Sequence, residues 1–165
     1  MAKMRNRTSK SSMTLGKQSL IGVFVLVSVI VFSILYILEV SARPFLQGQE
    51  QAEQVAIQYA GVTSISKVAR YNGEKSYYSV TGKNQAAEDV LVLIPEESSE
   101  ILVYKAVEGI SQEKAEAIAK ENGAGEISKV TFGYFKNQPI WEVKSGQIYY
   151  AITFEGGKLL SKEGI

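Results

Sequence analysis

Between Lys17 and Glu39 lie 21 consecutive uncharged residues, with an apolar heart at Leu20–Leu38, LIGVFVLVSVIVFSILYIL. No other feature restricts the chain as strictly. As a helix, these 19 residues at about 1.5 Å each reach roughly 28 Å, the thickness of a bilayer's hydrocarbon core. A helix also bonds every backbone N–H and C=O internally, as lipid demands. A buried core helix is the poorer reading, because so small a chain has little else to surround it. The flanks orient the segment. Residues 1–17 carry Lys3, Arg5, Arg7, Lys10 and Lys17 and no acid, whereas Glu39 and Arg43 beyond it cancel. The positive-inside rule then puts 1–17 in the cytoplasm and 43–165 outside, a single-pass arrangement in the cell membrane with lipid around Leu20–Leu38. The rival is a cleaved signal peptide, since Val40-Ser41-Ala42 resembles the small-residue pattern before a cleavage site. The apolar run exceeds the usual signal core of about 7–15 residues, which favours retention.

The N-terminal tail, with Thr8, Ser9, Ser11 and Ser12, reads as disordered and topogenic. The sequon Asn6-Arg7-Thr8 falls on the cytoplasmic side and is set aside. Removing the five tail bases from 18 leaves 13 against 17 acids, so residues 18–165 have a net charge of −4. A basic tip on a mildly acidic body argues against nucleic-acid binding, which needs a basic patch on the folded part. There is no Cys and no His. No disulfide and no lipid-anchored cysteine can form, and cysteine is silent on redox compartment.

The region beyond the apolar segment overlays on itself. Gln49-Glu50-Gln51-Ala52-Glu53 matches Gln112-Glu113-Lys114-Ala115-Glu116 at an offset of 63, and Ile65-Ser66-Lys67-Val68 matches Ile127-Ser128-Lys129-Val130 at 62. Tyr78-Ser79-Val80 then aligns with Trp141-Glu142-Val143, again at 63. The shared order and near-constant offset indicate a duplicated module. Each copy opens with an amphipathic helix: Ala52, Val55, Ala56 and Tyr59 in the first, Ala115, Ile118, Ala119 and Asn122 in the second. Gly61 and Gly123 stand where a left-handed C-cap favours glycine, Ser111 is a candidate N-cap, and Pro44 separates the first helix from the membrane helix or starts it.

Alternation then predicts strands at Ile65–Tyr71, Ser76–Thr81, Val90–Ile94 and Ile101–Tyr104. In the second copy it places Val130, Phe132 and Tyr134, then Trp141 and Val143, then Ile148, Tyr150, Ile152 and Phe154, on strand faces. Turn sequences are Asn72-Gly73, Gly82-Lys83-Asn84, Asn137-Gln138-Pro139, Ser145-Gly146 and Gly156-Gly157. The expected fold class is α+β: a transmembrane helix, then two tandem modules, each one helix on a three- or four-stranded antiparallel sheet. The expected divisions are a tail at 1–17, the membrane helix at 18–41, and modules at 42–108 and 109–165. Val90-Leu91-Val92-Leu93-Ile94 is apolar on both faces, so this strand is expected to be covered by its own helix on one side and the other module on the other. Each copy is marginal alone, which also favours a rigid pair.

The basic tail and single anchor, with the helix stem GQEQAEQVAIQYAG, resemble the TseB-like cell-wall elongation regulators of Gram-positive bacteria, and the phrase PIWEVK at Pro139–Lys144, followed by a second aromatic strand, resembles PepSY-type modules, which implies that the two tandem modules are PepSY- or cystatin-like. The resemblance covers essentially the whole chain. It implies a non-enzymatic role beside a class B penicillin-binding transpeptidase, with no cofactor and no catalytic residues to carry over. PepSY-type modules imply an alternative, inhibition or folding of a secreted or membrane peptidase.

The residue inventory agrees with a non-enzyme. The usual bases, nucleophiles and soft metal ligands are missing with His and Cys, and Asp89 is the only aspartate. Glu96, Glu97 and Glu100 read as a solvated hairpin tip, without the spacing of a calcium loop. Paired glutamates could serve a glycosidase, but small modules without an evident deep cleft are a poor setting. Gly156-Gly157-Lys158 lacks the phosphate-loop spacing. In Ser66-Lys67, Ser128-Lys129 and Ser161-Lys162, strand geometry points adjacent side chains to opposite faces. A sensor role is disfavoured by the short cytoplasmic tail. The aromatic residues remain suggestive. With Trp141 and Tyr150 facing inward, Ile140 and Tyr149 are expected outward, with Tyr77 their counterpart in the first copy. These three are the candidate partner contacts, against the plainer reading of core packing.

Overall fold

Two helices and eight strands carry the structure, a computed structural model that describes residues 15–164, with side chains described for all of these except 15 and 42–46. Helix α1 is Leu15–Tyr59, followed by β1 (Val62–Asn72), β2 (Ser76–Asn84), β3 (Asp89–Pro95) and β4 (Leu102–Lys105). A 3-10 turn at Ala106–Glu108 leads to α2 (Gln112–Glu121), β5 (Ile127–Phe135), β6 (Gln138–Ser145), β7 (Ile148–Thr153) and β8 (Leu159–Gly164). The fold class is α+β with two antiparallel four-stranded sheets, in spatial order β1-β2-β3-β4 and β5-β6-β7-β8. The tail bases Lys3, Arg5, Arg7 and Lys10, the tail hydroxyls and the Asn6 sequon lie outside the described residues.

The chain divides into two compact units, Met1–Pro44 and Phe45–Ile165. In the first, Gly16–Ser41 has a mean hydropathy of 2.9 over its most apolar window and is, among the described residues, the one helical stretch long and apolar enough to cross a membrane. Phe24 and Phe32 are 71% and 72% exposed, as lipid-facing residues are and core residues are not. Ser28 Oγ donates to Phe24 O at 2.8 Å, so its hydroxyl is satisfied within the helix. Pro44, expected to separate the first helix from the membrane helix or to start it, is the last residue of the first unit.

In the second unit the register sorts every strand residue to a face. On the first sheet, Val68, Val80, Val92 and Val103 form one row and share their face with Val90. Val80, Val90 and Val92 pack with Ala52 and Ala56 of α1. Alanine at both contact positions lets the helix backbone lie close to the sheet. Val55 is half-buried and Tyr59 is 73% exposed, so the buried stripe is narrower than the apolar spacing predicts. In α2 the buried stripe is Ala115 and Ala119, Ser111 caps its start through Oγ to Lys114 N–H, and Gly61 and Gly123 both adopt positive φ.

Two expected turns sit elsewhere. Gly82 lies inside β2, because a Cβ there would strike Ser64 O and Val62 at the β1 bulge. The reversal comes at Asn84, whose Oδ1 accepts from Ala86 N–H and Glu88 N–H. Likewise Gln138 and Pro139 belong to β6, and the hairpin turn is Lys136-Asn137, both at positive φ.

The opposite face of the first sheet carries Lys67, Tyr71, Tyr77, Leu91, Leu93 and Tyr104, and it meets the second half of the unit. Leu91 and Leu93 share one core with Phe132, Ile140, Trp141, Tyr150 and Phe154. The strand that is apolar on both faces is therefore covered twice, as expected. Strand β5, an edge of its own sheet, makes the contact. Tyr104 meets Phe132 edge-on at 5.7 Å, Tyr77 meets Tyr134 at 6.0 Å, and the Tyr71 ring lies where a Gly133 Cβ would be. The repeated Ile-Ser-Lys-Val phrases cross here: Lys67 Nζ donates to Val130 O at 2.9 Å, and Lys129 Nζ donates to Arg70 O at 3.2 Å. Each lysine thus ties the edge strand of the other sheet.

Gly133→Ala should destabilise the folded unit by about 1–3 kcal/mol through overpacking against Tyr71. Lys67→Met and Lys129→Met should each cost about 0.5–1.5 kcal/mol. Urea unfolding followed by Trp141 fluorescence reads both effects.

Candidate functional site, a groove on the outer face of the second sheet

The face of the second sheet away from α2 is built from cross-strand rows. One row runs Lys129, Lys144, Tyr149, Glu163; the next runs Thr131, Glu142, Ala151, Ser161. A third, Gly133, Ile140 and Thr153, is buried. Ala151 and Ser161 are short, so the second row forms a low floor between taller neighbours. The β1–β2 hairpin, Tyr71 to Glu74, walls one side. The result is a groove of about 600 Å³ lined also by Arg70, Phe135 and Gly164.

Glu142 sits half-buried on this floor. Burial pushes its carboxyl above the usual range, with Lys129 and Lys144 drawing it back in part. Among the described residues it makes no hydrogen bond or ion pair. Its neighbour in the row, Thr131, is 1% exposed, and its Oγ1 finds no hydrogen-bond partner among the described residues. Lys144 Nζ lies over the Tyr149 ring at 5.1 Å and Lys136 Nζ over the Phe135 ring at 5.0 Å. Arg70 is held by Glu96 through two contacts, at 2.7 and 2.8 Å. Burial, with Glu142 next in weight, pushes the Tyr71 phenol well up, so it stays protonated.

Of the three expected contacts, Tyr149 lines this groove, half-buried. Ile140 and Tyr77 do not face solvent: they are 1% and 6% exposed. Ile140 does point away from Trp141, as strand alternation requires, but that part of the face lies in the core shared by the two sheets. Tyr77 is caught between Tyr71 and Tyr134 by the same contact, and only its edge reaches a hollow of about 330 Å³ beside Glu97 and Glu100. Glu142, Lys129 and Tyr71 were not singled out from sequence as site residues. The available signal was a charge inside the apolar alternation of PIWEVK, which by itself reads as an ordinary solvent-facing residue.

Comparisons with known proteins bear on what this face belongs to. Residues 51–95 match the family model described as "Cell wall elongation regulator TseB-like domain". A protein of Bacillus subtilis strain 168 named "Probable cell wall elongation regulator TseB" is 30% identical over 121 residues, 69% of this chain and 75% of that protein. The chain belongs to the TseB-like family. A solved structure, the YpmB protein from Bacillus subtilis, matches with a TM-score of 0.65 and 28% identity over 72% of this chain and 98% of that one. The TseB-like match at 51–95 spans the end of α1 and strands β1 to β3, so the floor of the groove lies outside it.

A buried carboxylate with a raised pKa binds protons more readily in the folded than in the unfolded state. Its penalty is therefore present at neutral pH and shrinks as pH falls toward the ordinary glutamate range. Glu142→Gln should be more stable than the parent at pH 7, with the difference closing as pH is lowered. Urea midpoints measured at several pH values test the sign.

Proposed function

We propose that this chain is a membrane-anchored, extracytoplasmic regulator of cell-wall synthesis and elongation that docks on a class B penicillin-binding transpeptidase through the groove face. The proposed division is a cytoplasmic tail at 1–17, the membrane span at 18–41, and modules at 42–108 and 109–165, with the N-terminus inside. The observation that carries the reading is the combination of a membrane-length helix with a groove that has aromatic rings and charges but no His or Cys to do chemistry. The name of the Bacillus subtilis relative supplies the process. Anchoring holds the groove in the thin layer where a membrane-bound partner works and raises effective concentration without added contacts. Tyr149 is the proposed contact retained from the sequence; it is an amphipathic ring at the groove's rim.

A photo-crosslinking residue at 149 in living cells, read by mass spectrometry, should capture a penicillin-binding transpeptidase. The same residue at Val107, 86% exposed on the 3-10 turn, should not. Capture of a secreted or membrane peptidase instead would favour the inhibitor reading and contradict this one.

A further inference from the structure

We infer that the groove takes an extended polypeptide segment of a partner protein and that Glu142 receives a lysine or arginine side chain from it. This rests on the docking role proposed above and names the chemistry of what docks. Glu142 is desolvated on the floor of the groove without a hydrogen bond or ion pair among the described residues. A cation delivered there meets a carboxylate already stripped of part of its water, which strengthens the pairing. The rings of Tyr71, Phe135 and Tyr149 line the same groove. Phe135 and Tyr149 already carry Lys136 and Lys144 of this chain, so the rings offer apolar contact to the methylene stem of an incoming side chain while Glu142 takes its charged end.

The shape favours a polypeptide over an isolated amine. Ala151 and Ser161 keep the floor low beside Glu142, and the groove is bordered by β8 through Ser161, Glu163 and Gly164. Lys129 and Lys144 flank Glu142 and would meet acidic or carbonyl groups of the same segment, setting its direction.

The test uses the full chain in lipid nanodiscs and a pool of end-blocked nonapeptides with alternating Thr and Val around a central Lys, Arg, Gln or Glu. Bound peptides are identified by mass spectrometry. Lys and Arg peptides should be retained over the Gln peptide by about tenfold, the contribution of one charge-assisted hydrogen bond. Glu142→Gln should abolish the preference and Glu142→Lys should turn it toward the Glu peptide. Glu121→Gln, on α2, should leave it intact. Trp141 emission confirms that each variant is folded. No preference in the parent, or a preference that survives Glu142→Gln, overturns the inference. So does displacement of the Lys peptide by soluble wall muropeptides at lower concentration, which would make wall stem peptide the occupant. The peptide assay is independent of the partner's identity. A Lys preference together with failed capture from position 149 would leave the groove chemistry standing and remove the transpeptidase reading; the converse result would do the opposite.

Discussion

The Phe45–Ile165 unit depends on one contact, the edge strand β5 set against the inner face of the first sheet. Neither sheet has a core of its own on that side. Leu91 and Leu93 look away from α1, and without β5 they would be a bare apolar strip in water. Phe132 and Phe154 in turn meet Tyr104 edge-on, so the two sheets fill one core between them. Directional bonds then add register to this non-directional burial. Lys67 and Lys129 each hold a carbonyl across the junction, and Trp141 Nε1 donates to Ile110 O at 2.9 Å in the buried interior. Burial makes the contact favourable; the bonds decide how it is aligned.

The groove follows from that contact. Because the β1–β2 hairpin lies over one end of the second sheet, the row containing Ile140 is closed and the rows containing Glu142 and Tyr149 stay open beneath the hairpin wall. The same approach strips water from Glu142 and raises the Tyr71 pKa. The two sheets thus use their faces differently. The first sheet spends its inner face on the junction, while the second keeps half of its corresponding face for something else.

The sequence carried the parts of this structure governed by local periodicity. The apolar run at Leu20–Leu38, the helix caps at Ser111, Gly61 and Gly123, and the alternation of the strands are each decided by a few neighbouring residues. The two-sided strand Val90–Ile94 even revealed that a second layer must exist. What could not be read was which face that layer covers. Ile140 and Tyr77 point as alternation says they should, yet they are buried because residues about 60 positions away in sequence close over them. For the same reason Glu142 reads as a solvent-facing residue in sequence and is desolvated in the fold. Gly82 shows the local version of this limit. A glycine that looks like a turn is there to let a bulged neighbour approach.

The direct test is whether the two sheets unfold together in the full chain. Urea unfolding is followed in parallel by Trp141 fluorescence, which reports the second sheet, and by hydrogen exchange of β3 amides such as Val92, which reports the first. A shared junction core predicts one transition with coincident midpoints. A first sheet that melts at a distinctly lower urea concentration while Trp141 emission stays native would contradict it.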